Sequence, residues 1–251
     1  MITASNLTKN FGEKTAVKNI NITVKKGELF AYLGPNGSGK STTIKMLMGL
    51  LEPTEGTVEI LGEPMHLNNT ELKRKISFVP DTPDIIGKLT GNEYLNFVAS
   101  IYKMNKKTYT EKRNELVNMF ELQDELGTLV EEYSHGMRQK LVVIGALMHS
   151  PEVIFLDEPN VGLDPKSNRE LKNYLTEYVK QGNTVFLTTH TLSLAEEIAD
   201  RICIIYKGEI KALGTLEELS EQAGSVEKRL EDIFLALTGE EEVHVQEHTE
   251  S

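Results

Sequence analysis

Residues 34–43 have the sequence Gly34-Pro35-Asn36-Gly37-Ser38-Gly39-Lys40-Ser41-Thr42-Thr43, which matches the phosphate-loop pattern G-x-x-x-x-G-K-[ST]. The apolar run 29–33 before it predicts a buried strand, and the apolar spacing from Ile44 to Leu51 predicts a helix after it. The glycines let successive backbone N–H groups converge on phosphate oxygens at the N-terminus of that helix. We therefore predict that residues 34–42 hold the phosphates of a nucleoside triphosphate.

Two side chains of this loop have predicted roles of their own. The ammonium group of Lys40 would lie at the β- and γ-phosphates, which also makes Lys40 a catalytic candidate. The hydroxyl of Ser41 would ligate Mg²⁺. The alternative interpretation of the same residues is a glycine-rich turn before a helix, without any ligand. On the first interpretation the loop predicts a site for a nucleoside triphosphate and Mg²⁺.

A second apolar run, residues 153–156, is followed by Asp157 and Glu158 and then by Pro159. The run predicts a buried strand that the proline ends. Successive side chains of a strand point to opposite faces, so the two carboxylates need not share a role. Asp157 fits the aspartate on the metal side of a phosphate-loop enzyme, and Glu158 fits the residue that polarises the attacking water. We expect this pair and the phosphate loop to come from neighbouring strands of one sheet.

Two further residues are candidates for the same site. His190 follows the buried strand predicted at 184–189, at the edge of a parallel sheet where ligands of open α/β folds collect, and it is a catalytic candidate. Phe11 lies on a predicted loop between alternating strands at 2–8 and 16–25. Its ring could stack on a purine base or plug the edge of the sheet, and both interpretations remain open.

Residues 88–150 have the periodicity of helices rather than strands. Helices are predicted at 92–102 and 108–122, and a third begins at Ser134. Ser134 occupies an N-cap position, so the first N–H groups of that helix can bind an anion as well as the serine hydroxyl. We interpret this segment as a helical insertion between strands.

The composition limits the class of protein. The chain has 251 residues, 39% of them hydrophobic, and a formal net charge of -11. Its longest apolar stretch, 141–148, is far shorter than the roughly 20 residues that a membrane-spanning helix needs. The acidic balance argues against a nucleic-acid partner. A start without a signal-peptide pattern and a single cysteine predict a cytoplasmic location.

The end of the chain is predicted as a helix at 226–237 followed by an acidic disordered segment. His244 and His248 have the spacing of a metal-binding pair on a helix, but the acidic, non-apolar surroundings favour a solvated tail.

In order and spacing, these segments resemble the ATP-binding cassette (ABC) ATPases, the nucleotide-binding subunits of ABC transporters, over about residues 2–220. The motifs that carry the resemblance are the Walker A motif (34–41), the signature sequence (133–140), the Walker B motif (153–158), the D-loop (161–165), the switch histidine His190 and the adenine-stacking Phe11. The resemblance implies an α/β fold, with a phosphate-loop (RecA-like) ATPase core, an antiparallel β part and a helical insertion at about 88–150. It implies an ATPase domain over 1–222, followed by the C-terminal helix and acidic tail over 223–251.

The chain departs from the family pattern at two places. Asp81 stands where the family has the Q-loop glutamine, and a carboxylate there can bind Mg²⁺ or its water. The signature has Ser134, His135, Gly136 and Met137 where the family prefers S-G-G-Q. Together with the closing residues 234–239, these two departures make the sequence resemble the bacterial branch of the family that exports drugs, peptides or related compounds.

The resemblance implies a subunit that hydrolyses ATP and powers transport, with export as the expected direction. Residues 134–137 of a second nucleotide-binding subunit, in a homodimer, would contact the γ-phosphate. A separate transmembrane permease would dock between the Asp81 segment and the helical insertion and hold the chain at the inner face of the membrane. The alternatives are a non-transport ABC ATPase and a regulatory module that binds ATP as a switch.

Overall fold

The computed structural model describes residues 1–224 and 229–239. In these ranges the strands are β1 (Ile2–Phe11), β2 (Lys14–Val24), β3 (Leu29–Leu33), β4 (Glu55–Ile60), β5 (Glu63–Pro64), β6 (Ile76–Val79), β7 (Val153–Asp157), β8 (Thr184–Thr189), β9 (Arg201–Tyr206) and β10 (Glu209–Gly214). The helices are α1 (Lys40–Leu47), α2 (Thr70–Lys73), α3 (Gly91–Ile101), α4 (Lys106–Met119), α5 (His135–Met148), α6 (Pro165–Lys180), α7 (Leu192–Ile198), α8 (Leu216–Ala223) and α9 (Leu230–Thr238), with a 3-10 turn at Val130–Glu132.

A six-stranded sheet carries the glycine-rich loop. Its order is β10-β9-β3-β8-β7-β6, in which only β10 pairs in the antiparallel sense. Every residue of β3, β7 and β8 is buried, as expected for parallel strands that helices cover on both faces. Because parallel strands end at the same edge, Leu33, Asp157 and Thr189 finish side by side. This edge positions the site.

The expectation that β3 and β7 are neighbours is wrong, because β8 lies between them. Strand β8 pairs along its length with β3 on one side and with β7 on the other. Local sequence patterns do not determine the order of strands in a parallel sheet, and β8 follows both of the others in the chain. The inserted strand brings Thr188 and Thr189 between the loop and the acidic pair.

The antiparallel part is a four-stranded sheet of order β2-β1-β4-β5. One core cluster joins its residues Ile2 and Ile60 to Ile44 of α1 and Phe186 of β8, so both sheets pack around α1. The predicted fold class, an α/β core with an antiparallel part and inserted helices, is confirmed. The predicted loop position of Phe11 is wrong: Phe11 is the last residue of β1, because the hairpin ladder extends as far as its pair with Lys14.

Helices α3, α4 and α5 lie between β6 and β7 in the chain, as expected of the inserted helices. The hydroxyl of Ser134 caps α5 by accepting a hydrogen bond from the N–H of Met137 at 3.2 Å. Leu95, Leu116 and Leu141 of the three helices share a core cluster with β7. The bounds 88–150 of a separate insertion and the domain boundary at 222 stay predictions.

Helix α9 begins at Leu230, within the helix predicted at 226–237. It packs in a third core cluster with β3, α7 and α8. The predicted acidic tail, with His244 and His248, lies outside the described residues. Across the ranges 1–224 and 229–239, none of the helices has both the length and the apolar character that crossing a bilayer requires.

Candidate functional site

The glycine-rich loop packs so closely against its neighbours that side chains would not fit. A Cβ on Gly34 would lie 2.3 Å from the carbonyl oxygen of Ile205, and one on Gly39 would lie 2.7 Å from that of Ala16. Gly37 and Gly39 also have φ angles of +80° and +108°, in the left-handed region. The backbone path therefore requires these glycines, and it presents N–H groups rather than side chains to a ligand.

The N-terminus of α1 is open to an anion. Gly39 caps the helix without a side-chain hydrogen bond. The hydroxyl of Ser38 is buried and has no hydrogen-bond partner among the described residues. The first N–H groups of a helix need an acceptor from outside it, and the helix dipole favours a negatively charged one. A phosphate group fits this cradle.

The side chain of Lys40 lies within the loop. Its Nζ donates to the carbonyl oxygens of Gly34 and Pro35, at 2.7 and 3.2 Å, and lies 3.6 Å from Oε1 of Glu158. Burial lowers the pKa of Lys40, and the negative charges of Glu158 and Asp157 oppose that effect. The ammonium group is thus buried at the junction of the loop and the acidic pair, where a bound phosphate would be.

Asp157 ends β7 beside α1. Its carboxylate accepts a hydrogen bond from the hydroxyl of Thr188, and the hydroxyl of Ser41 lies close enough to affect its pKa. Burial raises the pKa of Asp157, the two hydroxyls lower it, and the charges of Asp81 and Glu158 raise it again. A buried carboxylate among other negative charges is stabilised by a cation, because the cation offsets both burial and repulsion. The geometry of Asp157 and Ser41 therefore suits a divalent metal.

Glu158 follows Asp157 and leaves the strand with a φ angle of +48°. Such a backbone costs on the order of 1 kcal/mol for a residue with a Cβ and is typical of functional sites. The buried carboxylate accepts a hydrogen bond from Thr189 at 3.2 Å, and its Oε1 lies 2.9 Å from Nδ1 of His190. Thr189, Lys40 and His190 thus surround Glu158.

A cavity of about 710 Å³ brings most of the predicted residues together. Those that line it are Phe11, Asn36, Gly37, Gly39, Lys40, Ser41, Thr42, Asp81, Asp157 and Glu158. The volume is within the range of small-molecule and cofactor sites. Phe11 contributes a ring that is 51% exposed, so it is available for stacking. The cavity combines an aromatic surface, an anion cradle and three carboxylates.

The remaining loop residues and His190 lie next to this cavity. Gly34, Pro35 and His190 line a second cavity of about 290 Å³, and Asn36 lines both. Ser38 is buried within the loop. His190 contacts Glu158, which lines the larger cavity, and is connected to that site in this way.

The signature residues Ser134, His135, Gly136 and Met137 line neither cavity. Two of them, His135 and Gly136, pack against Gly162 instead. A Cβ on Gly136 would lie 2.5 Å from the carbonyl oxygen of Gly162, and a Cβ on Gly162 would lie 2.4 Å from the ring of His135. The fold therefore does not bring this segment to the phosphate loop of its own chain.

Sequence reasoning missed several residues of the site. Lys14, Thr15, Ala16 and Lys207 also line the large cavity. Lys207 directly follows β9, whose carboxyl end lies at the same edge as those of β3 and β7, and that position is a usable signal. Lys14 pairs with Phe11 across the hairpin, and only the pairing register reveals this. For Thr188 and Thr189 the sequence pattern indicates only a buried strand.

The donor set fits magnesium bound together with a nucleotide. Among residues 1–224 and 229–239, no three His, Cys, Asp or Glu side chains are placed to hold a metal ion by themselves. The carboxylate of Asp157 and the hydroxyl of Ser41 are hard oxygen donors that line the same cavity. Mg²⁺ is usually held by one or two such groups, by water and by substrate phosphates rather than by a complete protein cage.

An apolar groove of about 370 Å³ lies between β6 and the inserted helices. Leu50, Phe97 and Ile101 line it and are 51%, 47% and 49% exposed. Phe78 and Tyr94 complete its apolar wall. Large apolar side chains exposed together are typical of a docking surface.

Known proteins match the chain along most of its length. The sequence model of the family described as ABC transporter matches residues 17–161. The ATP-binding protein EcsA of an ABC-type transporter from Bacillus subtilis is 32% identical over 97% of this chain and 99% of its own length. The bacitracin transport ATP-binding protein BcrA of Bacillus licheniformis is 39% identical over 84% of this chain and 68% of its own. YbhF of Escherichia coli, named a probable multidrug ABC transporter ATP-binding protein, is 35% identical over 94% of this chain, which spans 41% of the length of YbhF.

Solved structures similar to this chain belong to the same family as these sequence relatives. An ATP-binding subunit of an ABC transporter superposes with a TM-score of 0.90 at 30% identity, over 94% of this chain and 99% of its own. A dimeric ATP-binding cassette in a post-hydrolysis state, bound to ADP and Pi, superposes with a TM-score of 0.78 at 30% identity, over 86% of this chain and 98% of its own. The chain therefore belongs to the ABC transporter family and has the fold of its ATP-binding subunits.

Proposed function

We propose that this chain binds and hydrolyses ATP as the energy-coupling subunit of an ABC transporter. One observation carries the proposal: the phosphate cradle, Lys40, Ser41 and the acidic pair Asp157 and Glu158 face a single nucleotide-sized cavity. A structural loop before a helix would not need the strained backbone of Glu158 or a buried Lys40 beside it. Hydrolysis needs that combination, because phosphoryl transfer depends on positioning and charge stabilisation.

Each part of the cavity has a role in this proposal. The backbone of 34–42 and the ammonium group of Lys40 hold the phosphates, and Phe11 stacks on the base. Mg²⁺ held by Ser41, Asp157 and Asp81 would neutralise charge on the phosphates. The carboxylate of Glu158 orients the attacking water and accepts its proton as a general base. His190, in contact with Glu158, donates a hydrogen bond to the γ-phosphate oxygen.

The site takes its remaining wall from a second nucleotide-binding subunit. The signature residues Ser134–Met137 do not line this chain's own cavity, so a second copy would have to supply them to the γ-phosphate. The dimeric relative of known structure supports a pair of cassettes. If the second copy is identical, the two-fold axis makes the two sites equivalent.

A separate transmembrane permease binds this chain and completes the transporter. The apolar groove at Leu50, Phe97 and Ile101 is the surface for it, because it adjoins the Asp81 segment through β6. Relatives named for bacitracin transport and for daunorubicin and doxorubicin resistance support export. Docking on such a permease would place the chain at the cytoplasmic face of the membrane.

The test of the ATPase is direct. The purified chain is assayed for Mg²⁺-dependent phosphate release from ATP over a range of protein concentrations. We expect a rate that rises more steeply than linearly with protein, because two chains complete each site. No hydrolysis at any concentration, despite nucleotide binding, would contradict the proposal.

A second experiment tests whether a membrane subunit binds at the apolar groove. The tagged chain is isolated in mild detergent from its own organism, and a multi-span membrane protein is expected to accompany it. Phe97→Asp should abolish that association while the affinity for nucleotide is kept. An association that survives the substitution would place the permease elsewhere.

The regulatory alternative gains some support from Asp81, whose charge lies in the cavity next to Asp157. A switch would bind ATP and stay bound, whereas a motor turns over when its permease is present. Comparing the ATPase rate with and without the co-expressed membrane protein distinguishes them. A rate that stays negligible in the complex would favour the switch.

A further inference from the structure

The second cavity adjoins the proposed catalytic groups, and part of its lining, Leu192 and Phe234, lies outside the motifs named above. It is lined by Leu33, Gly34, Pro35, Asn36, His190, Leu192 and Phe234, and its volume is about 290 Å³. Most of this lining is apolar, and His190 is the titratable side chain in it. The side chain of His190 is 50% exposed, so its contact with Glu158 does not by itself confine the ring.

Helix α9 supplies one wall of this cavity. Its Phe234 is 9% exposed and belongs to the core cluster that contains Leu33, the residue just before the phosphate loop. Leu192, the first residue of α7 and two positions after His190, packs against the same cluster. Helix α9 therefore supports both of the segments that carry the loop and the histidine.

We propose that Phe234 is a positioning residue for ATP hydrolysis, whose ring bounds the cavity beside His190 and limits how far the imidazole can turn away from Glu158. The inference rests on the proposed ATPase activity and deepens it, since it gives the C-terminal helix a part in that site. Phe234 does not line the nucleotide cavity. It acts through His190 rather than on the substrate.

The physical argument concerns the space beside the imidazole. Nδ1 of His190 lies 2.9 Å from Oε1 of Glu158. A side chain adopts the rotamers that its surroundings leave open, and a cavity made by truncating a large residue collapses only in part. Without the ring of Phe234 the imidazole gains room and spends less time beside Glu158. Misplacing a catalytic group by about 1 Å can cost about a hundredfold in rate, so a partial loss of position predicts about a tenfold loss of kcat.

The test compares four full-length proteins: wild type, Phe234→Ala, Phe234→Leu and Leu237→Ala. Leu237 is the matched control, because it lies on the same helix and packs in the same cluster but does not line the cavity. For each protein, kcat and KM for ATP are measured, together with the Kd for a non-hydrolysable ATP analogue. We expect Phe234→Ala to lower kcat about tenfold with Kd within about twofold, Phe234→Leu to be intermediate, and Leu237→Ala to stay within about twofold of wild type.

A double-mutant cycle separates positioning from a purely structural role. In a His190→Ala background, Phe234→Ala should lower the residual rate by less than about twofold, because the residue through which it acts is gone. An equal loss in both backgrounds would overturn the proposal. So would an unchanged kcat in Phe234→Ala, or a Kd that rises as much as kcat falls.

Two controls keep the result interpretable. If Phe234→Ala does not fold, as judged by its thermal melting curve, Phe234→Leu takes its place in the cycle with the same expected pattern. If wild type itself shows no ATPase activity, the proposed function fails. If wild type hydrolyses ATP and Phe234→Ala leaves kcat unchanged, only the positioning role is refuted.

Discussion

The N-termini of α1 and α5 both contain glycine, but their surroundings are opposite. At the first, Gly39 leaves α1 without a side-chain cap, and the end opens into a cavity with carboxylates of the same chain. At the second, Ser134 caps α5 itself, and the segment packs on Gly162 away from any nucleotide cavity of its own chain. The first region is organised to hold phosphate within one chain. The second lies outside that cavity, and in the proposed dimer it would act on the nucleotide of another subunit.

Glu158→Gln should produce the largest change, and it tests the first region. The amide keeps the size of the side chain beside Lys40 and His190 but cannot accept a proton from water. We expect kcat to fall about a thousandfold, within the range of general-base catalysis, while ATP still binds and the ATP-dependent dimer persists. Single-turnover ATP hydrolysis and size-exclusion chromatography with ATP measure both effects.

Glu152→Gln is the matched control for that substitution. Glu152 lies immediately before the other end of β7 and is exposed. Its loss should leave kcat within about twofold, as expected for a surface substitution away from a site. Full activity in Glu158→Gln would remove Glu158 from its proposed role and with it the contrast between the two regions.

Lys40→Ala should have the next largest effect. The buried ammonium group bridges loop carbonyls and Glu158, and a phosphate would replace those partners. Hydrogen bonds from a charged donor contribute about 1.5–3 kcal/mol, so we expect the Kd for ATP to rise about 50-fold. Fluorescence titration with a labelled nucleotide measures it. Lys45→Ala, an exposed lysine on the same helix, should bind ATP as wild type does.

The contrast also shows what a sequence can and cannot predict. The loop, β3 and α1 follow from local spacing, because glycine, strand and helix preferences all act within about ten residues there. The insertion of β8 between β3 and β7 does not, because strand order depends on packing across the whole sheet. The contributions of Lys14 and Lys207 to the cavity depend on the same distant packing. The N-cap position of Ser134 follows from local spacing, whereas its role at the site of a second subunit is implied by the family resemblance alone.

The far end of α5 provides a pH test of the second region. His149 follows that helix and stacks on Tyr102 with ring centroids 3.5 Å apart. Burial lowers the pKa of His149 from 6.5 to about 4. Between these two values the unfolded chain takes up a proton that the folded chain does not, so the free energy of unfolding falls as the pH falls. The loss should approach about 3 kcal/mol at pH 4.

Urea unfolding at several pH values measures this loss. His149→Phe keeps a ring against Tyr102 but cannot take up a proton, so its free energy of unfolding should decline less than that of wild type between pH 6.5 and 4. The difference between the two proteins isolates His149 from the carboxylates that titrate in the same range. Parallel curves would show that His149 is already protonated in the folded chain.

Gly136→Ala tests the second region more locally. The added Cβ would approach the carbonyl oxygen of Gly162 at 2.5 Å, so the signature segment or its neighbour must shift. We expect kcat to fall about tenfold while the nucleotide Kd of a dilute, monomeric chain stays within about twofold. Gly127→Ala is the control, because a Cβ there meets no atom within 4 Å. A raised Kd in the dilute chain would mean that the segment serves its own site after all.

Phe11→Ala should have the smallest effect, and it tests the open end of the first region. The ring is 51% exposed and lines the cavity, with Nζ of Lys9 5.3 Å from its centroid. Stacking of a base on an aromatic side chain contributes about 1–3 kcal/mol, and half-exposed stacking lies at the low end, so Kd should rise about fivefold. Phe11→Tyr keeps the ring and should bind ATP normally.

The loss of affinity in Phe11→Ala should be equal for ATP and ADP, since stacking involves the base alone, and it should vanish for inorganic triphosphate. A loss that depends on the number of phosphates would mean that Phe11 supports the hairpin beside the loop rather than the base, which is the sheet-edge interpretation of the same residue.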